Sequence, residues 1–231
     1  MSQAEPVLHL ASALPFFEMS ALPNAPLDLT LMPGDCALIE TADPARATAL
    51  AELCSGMAAL RRGQVRFLGY DWTTLARDRA AALRGRIGRV HQRGAWIDTL
   101  GTHVNIMLAR LHHTRESEPA IARAATDLAR QLGLPGLPLA RPDQLSDGDL
   151  LRAGCVRAFL GEPRLLLLDG AVSADHEELA APVLRLLSRT LDRGAAAICF
   201  TRDAAAWHTR AFPLTHRLHL LEAGLQPARR V

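Results

Sequence analysis

Arg164-Leu165-Leu166-Leu167-Leu168-Asp169 is the stretch from which the fold is read. Consecutive leucines leave no polar face, so as a strand the segment is buried on both sides, and sheets of that kind are parallel with helices over both faces. Ala195-Ala196-Ala197-Ile198-Cys199-Phe200 has the same character. The acid that closes the leucine run stands at the carboxyl edge of such a sheet, where α/β proteins bind ligands. A strand that merely ends on a capping aspartate writes the same string.

Outward from that stretch, residues 27–31, 36–39, 65–68, 87–90, 196–200 and 217–221 read as further strands. Helical periodicity covers 47–60, 74–83, 103–111, 118–132, 147–160, 177–193 and 204–209. The alternation predicts an α/β sheet covered by helices. Residues 94–160 break the rhythm with helix after helix, punctuated by Leu134-Pro135-Gly136-Leu137-Pro138 and Arg141-Pro142. They read as a helical insertion, leaving a core formed by about 1–93 and 161–231.

The 231 residues are 49% apolar and 22% charged with a net charge of +2, enough to bury one core and too balanced to call for nucleic acid or an anionic membrane. There is no lysine: all 26 basic residues are arginine. Cys36, Cys54, Cys155 and Cys199 lie far apart in apolar surroundings with no CxxC pair, which predicts buried reduced thiols. The histidines, including His112, His113 and His208, follow no metal-ligand spacing. No apolar run reaches the roughly 18 residues of a spanning helix, and the N-terminus lacks the pattern of a signal peptide. The expectation is a cytoplasmic chain whose membrane contact runs through a partner.

Upstream of Asp169, Leu145-Ser146-Asp147-Gly148-Asp149 opens a helix. A serine and a glycine there offer a hydroxyl, bare N–H groups and the positive dipole end, an arrangement suited to phosphate; an ordinary N-cap serine has the same local sequence. Taken with the strand-end acid, this stretch resembles the LSGGQ signature, signature helix and acidic strand of ABC transporter ATPases. Ile87-Gly88-Arg89-Val90-His91-Gln92 is similar to that family's Q-loop strand and glutamine, and Thr102-His103-Val104-Asn105-Ile106 to the stretch that follows it. Pro33-Gly34-Asp35 precedes the strand that feeds the phosphate loop, and Phe16, or its neighbour Phe17, falls where an aromatic stacks on adenine. The resemblance covers roughly residues 6–224. It implies a P-loop NTPase (RecA-like) core sheet with an inserted helical signature subdomain, ATP and magnesium as ligands, a dimer, and a membrane permease as partner. On this likeness Thr48, Gln92 and Asp169 would face magnesium, and Thr41, Arg46, Ala47, Ser146 and Gly148 would lie against nucleotide. A fainter likeness of Gln92-Arg93-Gly94-Ala95 points to the phospholipid-trafficking (Mla or Mce) type.

The departures are as informative. A working phosphate loop reads G-x-x-x-x-G-K-[ST], its glycines exposing N–H groups and its lysine bridging phosphates. Here the stretch is Thr41-Ala42-Asp43-Pro44-Ala45-Arg46-Ala47-Thr48. Thr41 and Arg46 replace the glycines, Ala47 replaces the lysine, and only the Thr48 hydroxyl is kept. Pro44 lacks an N–H and Asp43 adds negative charge. Arg46 is the one cation in reach, with a bulk and fork unlike lysine's. The general-base position after Asp169 holds Gly170, the switch-histidine position holds Arg202, and His176 stands where the D-loop aspartate belongs. The expectation is a degenerate subunit that does not hydrolyse ATP itself. It would pair with an active ATPase paralogue, or with itself, on the inner face of a bacterial cytoplasmic membrane. The alternatives are a non-catalytic structural adaptor and an ATPase with a non-standard phosphate loop.

Overall fold

The computed structural model describes residues 5–16, 21–92, 95–204, 207 and 212–228. One sheet holds β3 (Cys36–Glu40), β6 (Ile87–Val90), β7 (Leu165–Asp169), β8 (Ala196–Thr201), β9 (His216–Leu221) and β10 (Gly224–Pro227), in the order β10-β9-β3-β8-β7-β6. β9, β3, β8, β7 and β6 run parallel, and β10 returns antiparallel on β9. A second, antiparallel sheet has the order β2-β1-β4-β5, from β1 (Leu8–Pro15), β2 (Leu27–Leu31), β4 (Leu60–Phe67) and β5 (Tyr70–Asp71).

The architecture is the expected α/β P-loop NTPase fold, with two corrections. Residues 27–31 and 65–68 do contain strands, but those strands belong to the second sheet, joined through β1, which periodicity does not reveal. β1 carries Ser12 at a φ of 45°, and its register to both neighbours shifts beyond Leu10 or Ala11. A bulged strand loses the two-residue rhythm by which strands are recognised. The expected helix at 47–60 is also corrected. α1 (Pro44–Cys54) begins with proline at its first turn, capped by Asp43, and stops before Gly56, whose φ of 66° ends helical backbone. Leu60 instead pairs with Pro15 at the start of β4.

The central strands divide two cores. Cys36, Leu38, Leu166, Leu168, Ala197 and Cys199 bury on one face, with α5 (Asp147–Phe159) and α6 (Glu177–Asp192). Ala37, Ile39, Leu165, Leu167, Ile198 and Phe200 bury on the other, with α1 and the antiparallel sheet. Each buried leucine contributes about 2 kcal/mol of hydrophobic stabilisation. After α2 (Arg77–Arg84) and β6, α3 (Thr102–His113), α4 (Glu118–Gln131) and α5 follow one another before β7. The expected helix at 204–209 lies mostly outside the described residues; within it Trp207 is buried, edge-on to Phe212. All four cysteines are free and buried, and burial pushes the Cys54 and Cys155 thiols up to about 12. Among the described residues no helix is long and apolar enough to cross a membrane.

α5 reaches the sheet at a glycine. A methyl group on Gly88 would come within 2.0 Å of the Ala158 carbonyl oxygen, so backbone rests on backbone where β6 meets α5. Gly88→Ala is therefore expected to destabilise the chain by about 1–3 kcal/mol. Gly136→Ala, where nothing lies within 4 Å, is expected to be near neutral. Urea melts of the two variants read the contrast.

Candidate functional site

The carboxyl ends of β3, β6, β7 and β8 open into a cavity of about 660 Å³, lined among others by Thr41, Ala47, Gln92, Asp169, Gly170 and Arg202. The first turns of α5 close one side through Asp147 and Leu150. An outer cavity of about 830 Å³ is lined by Phe16, Thr48, Glu52 and Met57 among others. Pro44, Gln92 and Arg202 line both, so they stand between the two. Of the residues expected around magnesium, Asp169 faces the inner cavity, Thr48 the outer, and Gln92 both. Among the described residues no cluster of three or more His, Cys, Asp or Glu side chains could hold a metal ion.

The stretch leading into α1 is tied to itself. The Asp43 carboxylate accepts the Ala45 N–H at 2.9 Å, taking a donor that a helix N-terminus would otherwise offer to an anion. Arg46 does not enter the inner cavity. Its guanidinium bridges to Glu222, in the turn between β9 and β10, and its Nε lies 3.8 Å from Asp43. Ala47 is buried in the core against the sheet. Thr41 is buried at the end of β3, its N–H donating to the Thr201 carbonyl at 3.0 Å and its hydroxyl to the Asp43 carbonyl at 3.4 Å. Phe16, 46% exposed, stands at the lip of the outer cavity, while Phe17, Arg93 and Gly94 lie outside the described residues.

Asp169 sits among arginines. Desolvation raises its carboxyl from 3.8 to about 6, against the opposing attraction of Arg89 and Arg202. Arg89, in the middle of β6, donates from Nη2 to the Thr48 carbonyl at 3.2 Å. Burial lowers the pKa of this guanidinium, while Glu52 and Asp169 favour its charge. Arg157, from α5, lies 4.3 Å over the Trp96 ring and donates to the Ala95 carbonyl at 2.7 Å; burial and then Arg89 depress it to about 10. His91, between these cations, is lowered to about 4 by burial and by the two arginines, and is neutral at physiological pH. Sequence reasoning passed over Arg89, Arg157 and His91. The one available signal was an arginine inside the short strand Ile87-Gly88-Arg89-Val90, and its neighbours in space lie far away in sequence.

Gly170 turns the chain out of β7 at a φ of 70°, and a side chain there would meet nothing within 4 Å. Arg202 is exposed beyond the end of β8, and His176 lines the inner cavity just before α6. At the start of α5, the Ser146 hydroxyl accepts the Asp149 N–H at 3.2 Å, the ordinary capping role weighed from sequence. Ser146 is exposed, and Gly148 is half-buried beside Arg152, which is held by Asp149 and Glu178. Downstream of Gln92, Asn105 pins the loop before α3: its Oδ1 accepts the Ile97 N–H at 2.8 Å, and its Nδ2 donates to the carbonyls of Ile97, Leu100 and Gly101.

The raised pKa of Asp169 makes stability depend on pH. Its native pKa is raised, so between about pH 4 and 6 the native chain holds a proton the unfolded chain has lost, and stability falls as pH rises through that window. Asp169→Asn removes that cost. It is expected to stabilise the chain near neutral pH by on the order of 2 kcal/mol, with the gain absent near pH 4. Thermal melts across that range check both the size and the sign.

A model of the ABC transporter family matches residues 26–173. The chain is 30% identical over 178 residues to the lipoprotein-releasing system ATP-binding protein LolD 1 of Rhodospirillum rubrum, covering 76% of this chain and 78% of that protein. It is 28% identical over 197 residues to the macrolide export ATP-binding/permease protein MacB of Rhodopseudomonas palustris, covering 85% of this chain but 30% of that protein's length. In fold, it matches the dimeric post-hydrolysis ATP-binding cassette MJ0796, bound to ADP and Pi, with a TM-score of 0.81 at 18% identity, covering 97% of this chain and 100% of that one. The family it matches binds ATP with magnesium. The family match runs through β3, β6 and β7, the strands that open into the inner cavity, and the chain belongs to the ABC transporter family, as a relative of its ATP-binding subunits.

Proposed function

We propose that this chain is a degenerate nucleotide-binding subunit of an ABC transporter. It does not turn over ATP with its own phosphate loop, and it pairs with an active ATPase subunit while coupling to a membrane permease. The observation that carries this reading is the self-neutralised start of α1. Arg46, the only cation of the 41–48 stretch, is engaged by Glu222 and Asp43, while Asp43 also caps the helix. The seat a phosphate would take thus carries a carboxylate of the chain itself, and Pro44 supplies no N–H beside it.

A magnesium triphosphate does not fit these residues. Thr48 and Asp169 face different cavities, and Asp169 is flanked by Arg89 and Arg202. The hydrolytic groups are missing as well. Gly170 has no side chain to act as general base, and Arg202 occupies the place of a switch histidine. Loss of a general base costs a factor of roughly 10² to 10⁴ in rate, and loss of a charge-stabilising group roughly 10² to 10³.

Several features support a role in assembly. Ser146 and Asp147 are exposed at the start of α5, so the hydroxyl and the helix end can approach nucleotide held by a second subunit. The Asn105-pinned loop gives the surface after Gln92 a defined shape, and we assign the permease contact to that surface. A subunit from the relatives' ATP-binding class works with membrane components, and the macrolide exporter's name joins both parts in one protein. The site of action is then the cytoplasmic face of the membrane.

Mild-detergent purification of the tagged chain from native membranes, with mass spectrometry of what accompanies it, tests the reading. A permease together with an ATPase that keeps an intact G-x-x-x-x-G-K-[ST] loop is the expected outcome. A permease with this chain alone would favour the structural-adaptor reading. Robust magnesium-dependent ATPase activity in the isolated chain, abolished by Asp169→Ala, would overturn the proposal.

A further inference from the structure

The register of the central sheet fixes what surrounds Asp169. Arg89 on β6 pairs with Leu167 on β7, and side chains alternate faces along a strand, so Arg89, Leu167 and Asp169 share one face. Leu167 buries on the α1 side together with Leu50 and Cys54. The Arg89 guanidinium therefore lies between the sheet and α1, where it donates to the Thr48 carbonyl at 3.2 Å. On the other side of β7, Asp169 pairs with Phe200 of β8, and Arg202 follows two residues later. The carboxylate thus has an arginine on each neighbouring strand path. Among the described residues neither Arg89 nor Arg202 has a carboxylate within 4.0 Å. Both attract the Asp169 charge, and Asp169 in turn favours the charge on Arg89.

We propose that this site is built to work without a divalent cation: Arg89 from β6 and Arg202 beyond β8 are the resident counter-charges of Asp169, and they exclude a metal ion from it. The inference deepens the non-hydrolytic reading and rests on it. A divalent ion approaching Asp169 meets the positive charges of Arg89 and Arg202, both of which act on its carboxylate. Thr48, the hydroxyl that a metal would need, opens to the other cavity, and its own backbone carbonyl is already taken by Arg89. Arg89 also acts as a positioning residue. It ties α1 to β6 beneath the cavity through the Thr48 carbonyl. The start of α1 is then held wholly by the chain's own groups: Asp43 at the cap, Glu222 on Arg46, and Arg89 on Thr48.

The test uses manganese as a paramagnetic probe of the full chain, by electron paramagnetic resonance titration at millimolar metal and without nucleotide. The wild-type chain is expected to show no Asp169-dependent site. Arg202→Gln, an exposed substitution that leaves the fold intact, is expected to strengthen manganese binding roughly ten-fold, as loss of a unit charge a few ångströms away from a divalent ion would. Arg89→Met is expected to strengthen it further, and Asp169→Asn to abolish the gain in either background. Should Arg89→Met unfold, the Arg202→Gln series decides the matter alone. Wild-type manganese binding that Asp169→Asn removes, or no gain in Arg202→Gln, overturns the inference. Turnover of ATP is scored separately, so manganese binding without turnover overturns this inference and leaves the non-hydrolytic reading standing.

Discussion

Everything in this molecule is hung on three adjacent strands with no polar face. Cys36–Ile39, Leu165–Leu168 and Ala196–Phe200 are buried on both sides, so the hydrophobic effect alone demands a layer above and a layer below. One layer is α5 and α6 with the helices that precede β7, and the other is α1 with the antiparallel sheet. Both layers must reach the sheet closely, and at Gly88 the approach is so tight that α5 backbone takes the place of a side chain. These strands and β6 end at one edge of the sheet, so Glu40, Val90, Asp169 and Thr201 stand along it. The cavity is what is left at that edge.

The charged groups gathered at this edge answer one another within the chain. A nucleotide site needs free N–H groups, a mobile cation and a carboxylate open to metal. Here the first are capped by Asp43, the second is tied down by Glu222, and the third stands between arginines. These are three independent parts, from α1, the β9–β10 turn and the two strands flanking β7. The first two are satisfied within the chain, and the third is faced by positive charges that a divalent ion would have to approach. Their agreement is physically economical, because a buried or half-buried charge left without a partner is costly.

The arginine-only composition shapes this outcome. An ammonium group on a flexible stem is a point charge that follows phosphate, whereas a guanidinium is a rigid fork that seeks carbonyl and carboxylate oxygens. Arg89 on the Thr48 carbonyl, Arg157 on the Ala95 carbonyl and over Trp96, and Arg84 on the Ser55 and Gly56 carbonyls all show the fork used as a structural strut. Arg157 and Arg89 have lost part of their basicity to burial, and Asp169 has gained some. The cavity is thereby less polarised than its residue types alone suggest.

The parallel strands, most helices and the family were legible in the residue order, because fully apolar runs, capping serine and a strand-end acid are local patterns. The starts of α4, α5 and α6 fell at Glu118, Asp147 and Glu177 as periodicity predicts. The absence of lysine was equally plain, since absence from a linear string needs no geometry. The antiparallel sheet was not legible, because the bulged β1 has no regular rhythm and only pairing with β2 and β4 makes it a strand. Nor was the fate of the charges. Arg46 and Glu222 are brought together across most of the chain, and Arg89, Asp169 and Arg202 are joined only by the strand order β6-β7-β8. A sequence states which groups are present. Which of them neutralise one another is decided by distance, and distance belongs to the tertiary structure.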